Sequence, residues 1–129
     1  MTQDSNWLEP VLAKDPRYTA DAYELLFESV EFSRKRLAKQ RGAKVGHITI
    51  SELLYGIRDL ALEHYGLMAK TVLNQFGVFS TSDIGEIFFN LVESGDLERT
   101  DQDSREEFDN VFDFDDAFCK NYRISAVDE

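Results

Sequence analysis

Cysteine is almost absent from this chain. Cys119 stands alone among 129 residues, which excludes an intrachain disulfide and fits a reducing compartment. Histidine is nearly as scarce, with only His47 and His64, so there is little from which to assemble a transition-metal site or a histidine acid–base centre. No apolar run nears the roughly 18–20 residues that span a bilayer. The opening MTQDSNWLEP lacks the basic and apolar regions of a secretion signal, and a cytoplasmic location is expected. No G-x-S-x-G, P-loop or dinucleotide fingerprint occurs, and Gly42, Gly46 and Gly77 are too sparse to cradle a phosphate. No catalytic residue, cofactor or metal is therefore expected, and the chain does not read as an enzyme.

Positive charge is missing from one part of the chain. Met1 to Ser80 holds ten acidic and ten basic residues, whereas Thr81 to Glu129 holds fifteen and four, so the whole net charge of −11 lies in the second part. Lys and Arg supply most of the affinity for nucleic-acid phosphates, and carboxylates repel them. The acidic part is thus a poor candidate for nucleic acid or an anionic membrane surface.

What is present is enough for a core. Hydrophobic residues make up 43% and aromatics 12%, a globular composition, in a length that suits one domain and needs no metal or disulfide. The single domain 1–129 is read as a helical arm, 1–45, and a core, 46–122.

Helical spacing dominates the first two thirds. A short helix is expected over Asn6–Lys14, broken by Asp15-Pro16. Thr19–Arg41 is the strongest helix, with Tyr23, Leu26, Phe27, Val30 and Leu37 in period, acids early and bases late, as the helix dipole favours. Thr49-Ile-Ser-Glu52 has the form of a capping box, opening a helix over Ser51–Tyr65 whose apolar face includes His64 as a core histidine. Helices over Met68–Phe76 and Ser82–Ser94 follow, the latter broadly apolar and so deeply buried. Leu26, Phe27, Val30, Leu54, Ile57, Leu60, Ile84, Phe88 and Leu91 form the expected core.

The end of the chain reads in two ways. Phe108, Phe112 and Phe114 share one parity, which suits a sheet face, and an acidic hairpin over Asp96–Asp116 is the favoured reading. Ser104-x-x-Glu107 also resembles a capping box, and Phe108, Val111 and Phe112 fit a helix. With the hairpin, the order of elements is that of a winged helix: an α+β, mostly helical, winged-helix-like domain with an N-terminal helical arm and a C-terminal acidic hairpin.

Three stretches carry a resemblance: His47-Ile-Thr-Ile-Ser-Glu-Leu-Leu-Tyr-Gly-Ile-Arg-Asp-Leu-Ala, Phe76-Gly-Val-Phe-Ser-Thr-Ser-Asp-Ile-Gly-Glu-Ile-Phe-Phe-Asn-Leu-Val, and Asp101 to Phe118. Over roughly Asp15 to Phe118 the chain resembles a small uncharacterised protein family described as restricted to planctomycetes and verrucomicrobia. The resemblance implies a bacterial cytoplasmic protein and brings no activity, cofactor or site residue.

Two charged groups remain as candidate interaction sites. Arg34, Lys35, Arg36, Lys39 and Arg41 crowd the end of the long helix, where they read as a solvated helix end, as a contact for the acidic half, or as a dock for RNA or another polyanion. Asp101, Asp103, Asp109, Asp113, Asp115 and Asp116 lie among phenylalanines. Asp101-x-Asp103 begins like a calcium loop, but Arg105 and Glu106 occupy its fifth and sixth positions, where that loop needs a ligand and a glycine. Aromatics anchor protein interfaces and charge steers them. The expected role is a protein–protein interaction or adaptor module with a basic or amphipathic protein partner. The alternative is a nucleic-acid-associated protein that uses the basic helix end.

Overall fold

The computed structural model describes residues 8–42, 48–97 and 104–120. Five α-helices succeed one another: α1 (Glu9–Lys14), α2 (Ala20–Arg41), α3 (Ile50–Tyr65), α4 (Ala69–Gln75) and α5 (Thr81–Glu93). A 3-10 turn, Gly66–Met68, joins α3 to α4; a second, Arg105–Phe108, and a π turn, Asp116–Lys120, follow among the described residues.

Each helix forms where its local chemistry directs. Pro10 sits in the first turn of α1, where the missing N–H costs nothing. Gly42, at φ +69°, closes α2 in the left-handed conformation that glycine adopts freely. The capping box of α3 is complete: Glu52 N donates to Thr49 Oγ1 at 3.0 Å, and Thr49 N donates to Glu52 Oε1 at 2.9 Å. The start of α5 uses Asp83 instead of its N-cap Ser80. The Asp83 carboxylate accepts from Phe79 N at 2.8 Å and from Tyr18 Oη at 2.7 Å.

One hydrophobic cluster draws on all five helices and on the C-terminal turns. Leu26, Leu54, Ile57, Leu60, Ile84, Phe88 and Leu91 are buried as expected, whereas Phe27 and Val30 are half-buried. α2 and α3 approach closely because small residues meet at their crossing. A Cβ on Gly56 would lie 1.9 Å from Ser33 Oγ, so any side chain there would displace that hydroxyl. α5 is buried on most of its circumference, through Thr81, Ile84, Gly85, Ile87, Phe88, Phe89, Asn90 and Leu91.

The winged-helix expectation is overturned. The fold is all-α, with no strand among the described residues. Within the expected hairpin 96–116, Asp96 and Leu97 fold back on the end of α5, and Arg105–Phe108 is a 3-10 turn. The shared parity of the phenylalanines has another cause. Phe108 is fully buried against Phe88 and Phe89 of α5, whereas Phe114 packs on Phe118 and Phe112 lies against Tyr55 of α3. They face one interior from an irregular strap, turned at Asn110 with φ +54°. Gly85 supplies the seat: a Cβ there would stand 2.7 Å from Phe108 Cγ. The strap is tied down where Val111 N donates to Thr81 Oγ1 at 3.2 Å. It is also held where Arg105 pairs with Glu86 at 2.9 Å and lies over the Phe89 ring. An apolar helix needs a cover on its outer side, and an aromatic strap meets that need without ladder hydrogen bonds.

Candidate functional site

The strap and the α4–α5 connection enclose a groove of about 220 Å³, lined by Phe79, Ser80, Thr81, Asn110, Phe112, Asp113 and Phe114. Phe79 is 63% exposed, unusual for so large an apolar side chain. It stands between Gly77, at φ +96°, and the first turn of α5, whose Asp83 holds its N–H. The Gly77 backbone passes so near Arg17 O that a Cβ would lie 2.1 Å away. That close approach fixes the direction in which the chain leaves α4. Leu67 and Met68, in the turn before α4, are the other exposed large apolar residues among the described residues.

The acidic residues predicted to act together do different work. Asp109 accepts from Ser82 Oγ at 2.7 Å. Asp113 caps the following turn, its Oδ1 accepting from Asp115 N at 2.8 Å and Asp116 N at 3.2 Å. Asp115 pairs with Lys70 at 2.5 Å, which raises the lysine's pKa. Asp116 opens the π turn and is exposed. Asp101 and Asp103 lie outside the described residues. Of the described carboxylates in this group only Asp113 lines the groove, with Asp109 next in sequence to its lining residue Asn110.

The basic group is partly consumed by the fold. Arg34 pairs with Glu31 at 3.6 Å, Arg36 with Asp59 at 2.5 Å and Arg41 with Glu52 at 2.8 Å. Their partners lie on α2 and α3, not in the acidic strap. Lys35 and Lys39 are exposed and make no ion pair among the described residues. His64 corrects another expectation: it is exposed, and its Nε2 meets Glu28 Oε2 at 2.7 Å. The apolar stripe of α3 ends at Ala61, one turn before His64. His47 lies outside the described residues, and Cys119 is half-buried in the π turn.

Pattern reading missed a polar knot between the α1–α2 linker and α5. Asp15, its side chain only 11% exposed, accepts from Arg17 Nε at 2.8 Å, Arg17 Nη2 at 2.7 Å and Asn90 Nδ2 at 2.8 Å. Asn90 Nδ2 also donates to Tyr23 Oη at 3.2 Å. The Arg17 hydrogen bond holds the Asp15 carboxyl well below the usual carboxylate range, against burial, with Asn90 adding to the effect. Burial pushes the Tyr18 and Tyr23 hydroxyls up; the bond to Asp83 reinforces this at Tyr18. The one signal in the sequence was Asn90, a polar residue within the widest apolar stripe. The exposure of Phe79 had no such signal, because no periodicity distinguishes a solvated phenylalanine from a buried one.

Among the described residues no three His, Cys, Asp or Glu side chains are grouped to hold a metal ion, and no described helix is long and apolar enough to cross a membrane. Comparison of the chain with protein-family models, with curated proteins and with solved structures finds no match.

Proposed function

We propose that this chain is a protein-interaction module whose acidic-aromatic C-terminal surface captures a basic segment bearing an apolar anchor. One observation carries the reading: Phe79, solvated, forms one side of a groove whose other walls are Phe112, Phe114 and Asp113. Exposed aromatics beside a pocket are the usual anchors of interfaces. Charge selects the partner. A chain of net −11 repels a second copy of itself and any polyanion, and attracts Lys- and Arg-rich segments. Association with nucleic acid through the basic end of α2 has less support, because three of its five cations are engaged in ion pairs. A bacterial cytoplasmic setting is part of the same proposal; the single cysteine, which suits a reducing compartment, supports it.

An array of immobilised peptides, each pairing one Phe, Leu or Trp with flanking Lys and Arg, tests the reading. Selected peptides bind the full chain, and their association rate falls with added salt. Phe79→Ser weakens them at least about tenfold, the scale of an interface anchor, and Asp109→Asn weakens them less. Peptides that bind Phe79→Ser as tightly as the parent chain would refute it.

A further inference from the structure

A second concavity, of about 250 Å³, lies on another face, between the later half of α2 and the first half of α3. Two guanidiniums meet there on one carboxylate. Arg36 Nη1 bonds Asp59 Oδ2 at 2.5 Å, and Arg58 Nε bonds Asp59 Oδ1 at 2.8 Å. Each is steadied by an aromatic face: Arg36 lies 5.1 Å from the Phe32 ring centroid and Arg58 4.8 Å from that of Tyr55. We infer that this cleft binds a small phosphomonoester, held by the free donors of Arg36 and Arg58.

The donors are in surplus. A guanidinium carries five N–H groups, yet Arg58 donates to the described residues only through Nε and Arg36 only through Nη1. Both arginines line the cleft and are about one-third exposed, at 30% and 32%, so a ligand reaches them. Asp59 pins both guanidiniums without neutralising both, and Glu52 is engaged by Arg41. The lining itself holds two arginines and two carboxylates, Asp59 and Glu52; counting Arg41 on Glu52, three guanidiniums meet two carboxylates, an excess of one positive charge on a chain of net −11. Planar guanidinium forks match phosphate oxygens two at a time, and stacking on an aromatic face organises them in advance. Ser51 and Gln40, also in the lining, add neutral polar groups for a sugar or similar moiety.

Size and charge together choose the ligand. The volume is at the small end for ligand sites, room for a phosphate with a compact organic group. The two arginines match a dianion; beyond the lining the exposed Lys35 and Lys39 also lie on α2, so an oligonucleotide is the competing ligand that the test must separate. The site is independent of the Phe79 groove.

Ribose 5-phosphate is the probe, with ribose as control, added to the full chain at constant ionic strength and followed by arginine Nε–Hε resonances and calorimetry. Saturable binding with a Kd below about 1 mM is expected, with the Arg58 resonance moving and ribose inert. Arg58→Lys keeps the charge and loses the fork, and weakens binding at least about tenfold. Gln40→Glu, an exposed change that places a carboxylate in the lining, does the same without risk to the fold. Absence of saturation, equal binding of ribose, or unchanged affinity in both variants would overturn the inference. A single-stranded oligonucleotide that moves the same resonances at lower concentration than ribose 5-phosphate would also overturn it, in favour of nucleic acid.

Discussion

Replacing Gly85 with Ala puts a methyl group where the structure has Phe108. The new Cβ would lie 2.7 Å from Phe108 Cγ, 2.8 Å from its Cβ and 3.0 Å from its Cδ2. Carbon atoms rest at about 3.5–4.0 Å, so the fully buried ring must retreat by roughly 1 Å or leave. Overpacking of this kind costs about 1–3 kcal/mol. Alanine in mid-helix is better than glycine by about 1 kcal/mol, so the net loss is about 0–2 kcal/mol. Phe108→Ala costs about 3–5 kcal/mol, since the ring packs on Phe88 and Phe89 and is inaccessible. In that background nothing locks the strap against α5, and it lifts to admit the methyl. There Gly85→Ala is neutral or gains about 1 kcal/mol of helix propensity. The two changes are thus coupled by roughly 2 kcal/mol, well above the error of a double-mutant cycle. Urea titration of the four proteins by far-ultraviolet circular dichroism measures it. Gly85→Ala with the same effect on stability in both backgrounds would show that Phe108 is not seated on α5.

Two further outcomes follow from other parts of the fold. The Asp15 carboxyl has a folded pKa below its unfolded value of about 3.9, so its contribution is complete above that value and is lost as pH falls through the folded one. Asp15→Asn is therefore less stable than the parent chain at pH 7, by about 1–2 kcal/mol because Arg17 is 58% exposed and screened. The gap begins to narrow below about pH 4 and closes only as pH falls through the folded value; thermal melts at pH 7 and pH 3 measure the narrowing, and a constant gap would mean that the Asp15 charge contributes nothing. Thr49→Ala removes one half of the α3 capping box and costs about 1 kcal/mol in the same urea titration; a loss under about 0.3 kcal/mol would indicate that water replaces the cap.

The helices were legible because their signals are local. Period, the Thr49–Glu52 box and Gly42 act within a turn or two of the residues they govern, and the observed bounds of α2, α3 and α5 lie within one residue of those read from the sequence. The charge asymmetry was likewise a property of the chain alone. The strap was not, because Phe108, Phe112 and Phe114 satisfy strand parity as well as packing from an irregular segment, Phe108 on α5 and the other two around Phe118. Which one holds depends on Gly85, more than twenty residues away, leaving room for a ring. Tertiary contact also decided which charges are spent. Arg36 and Arg41 read as one basic patch with Lys35 and Lys39, until α3 brings Asp59 and Glu52 against them. Exposure of Phe79 and convergence of Arg36 and Arg58 on one carboxylate likewise arise only between elements. Propensity and capping energies are set by near neighbours, but burial and ion pairing are set by whatever the fold places opposite, and that information is spread along the whole chain.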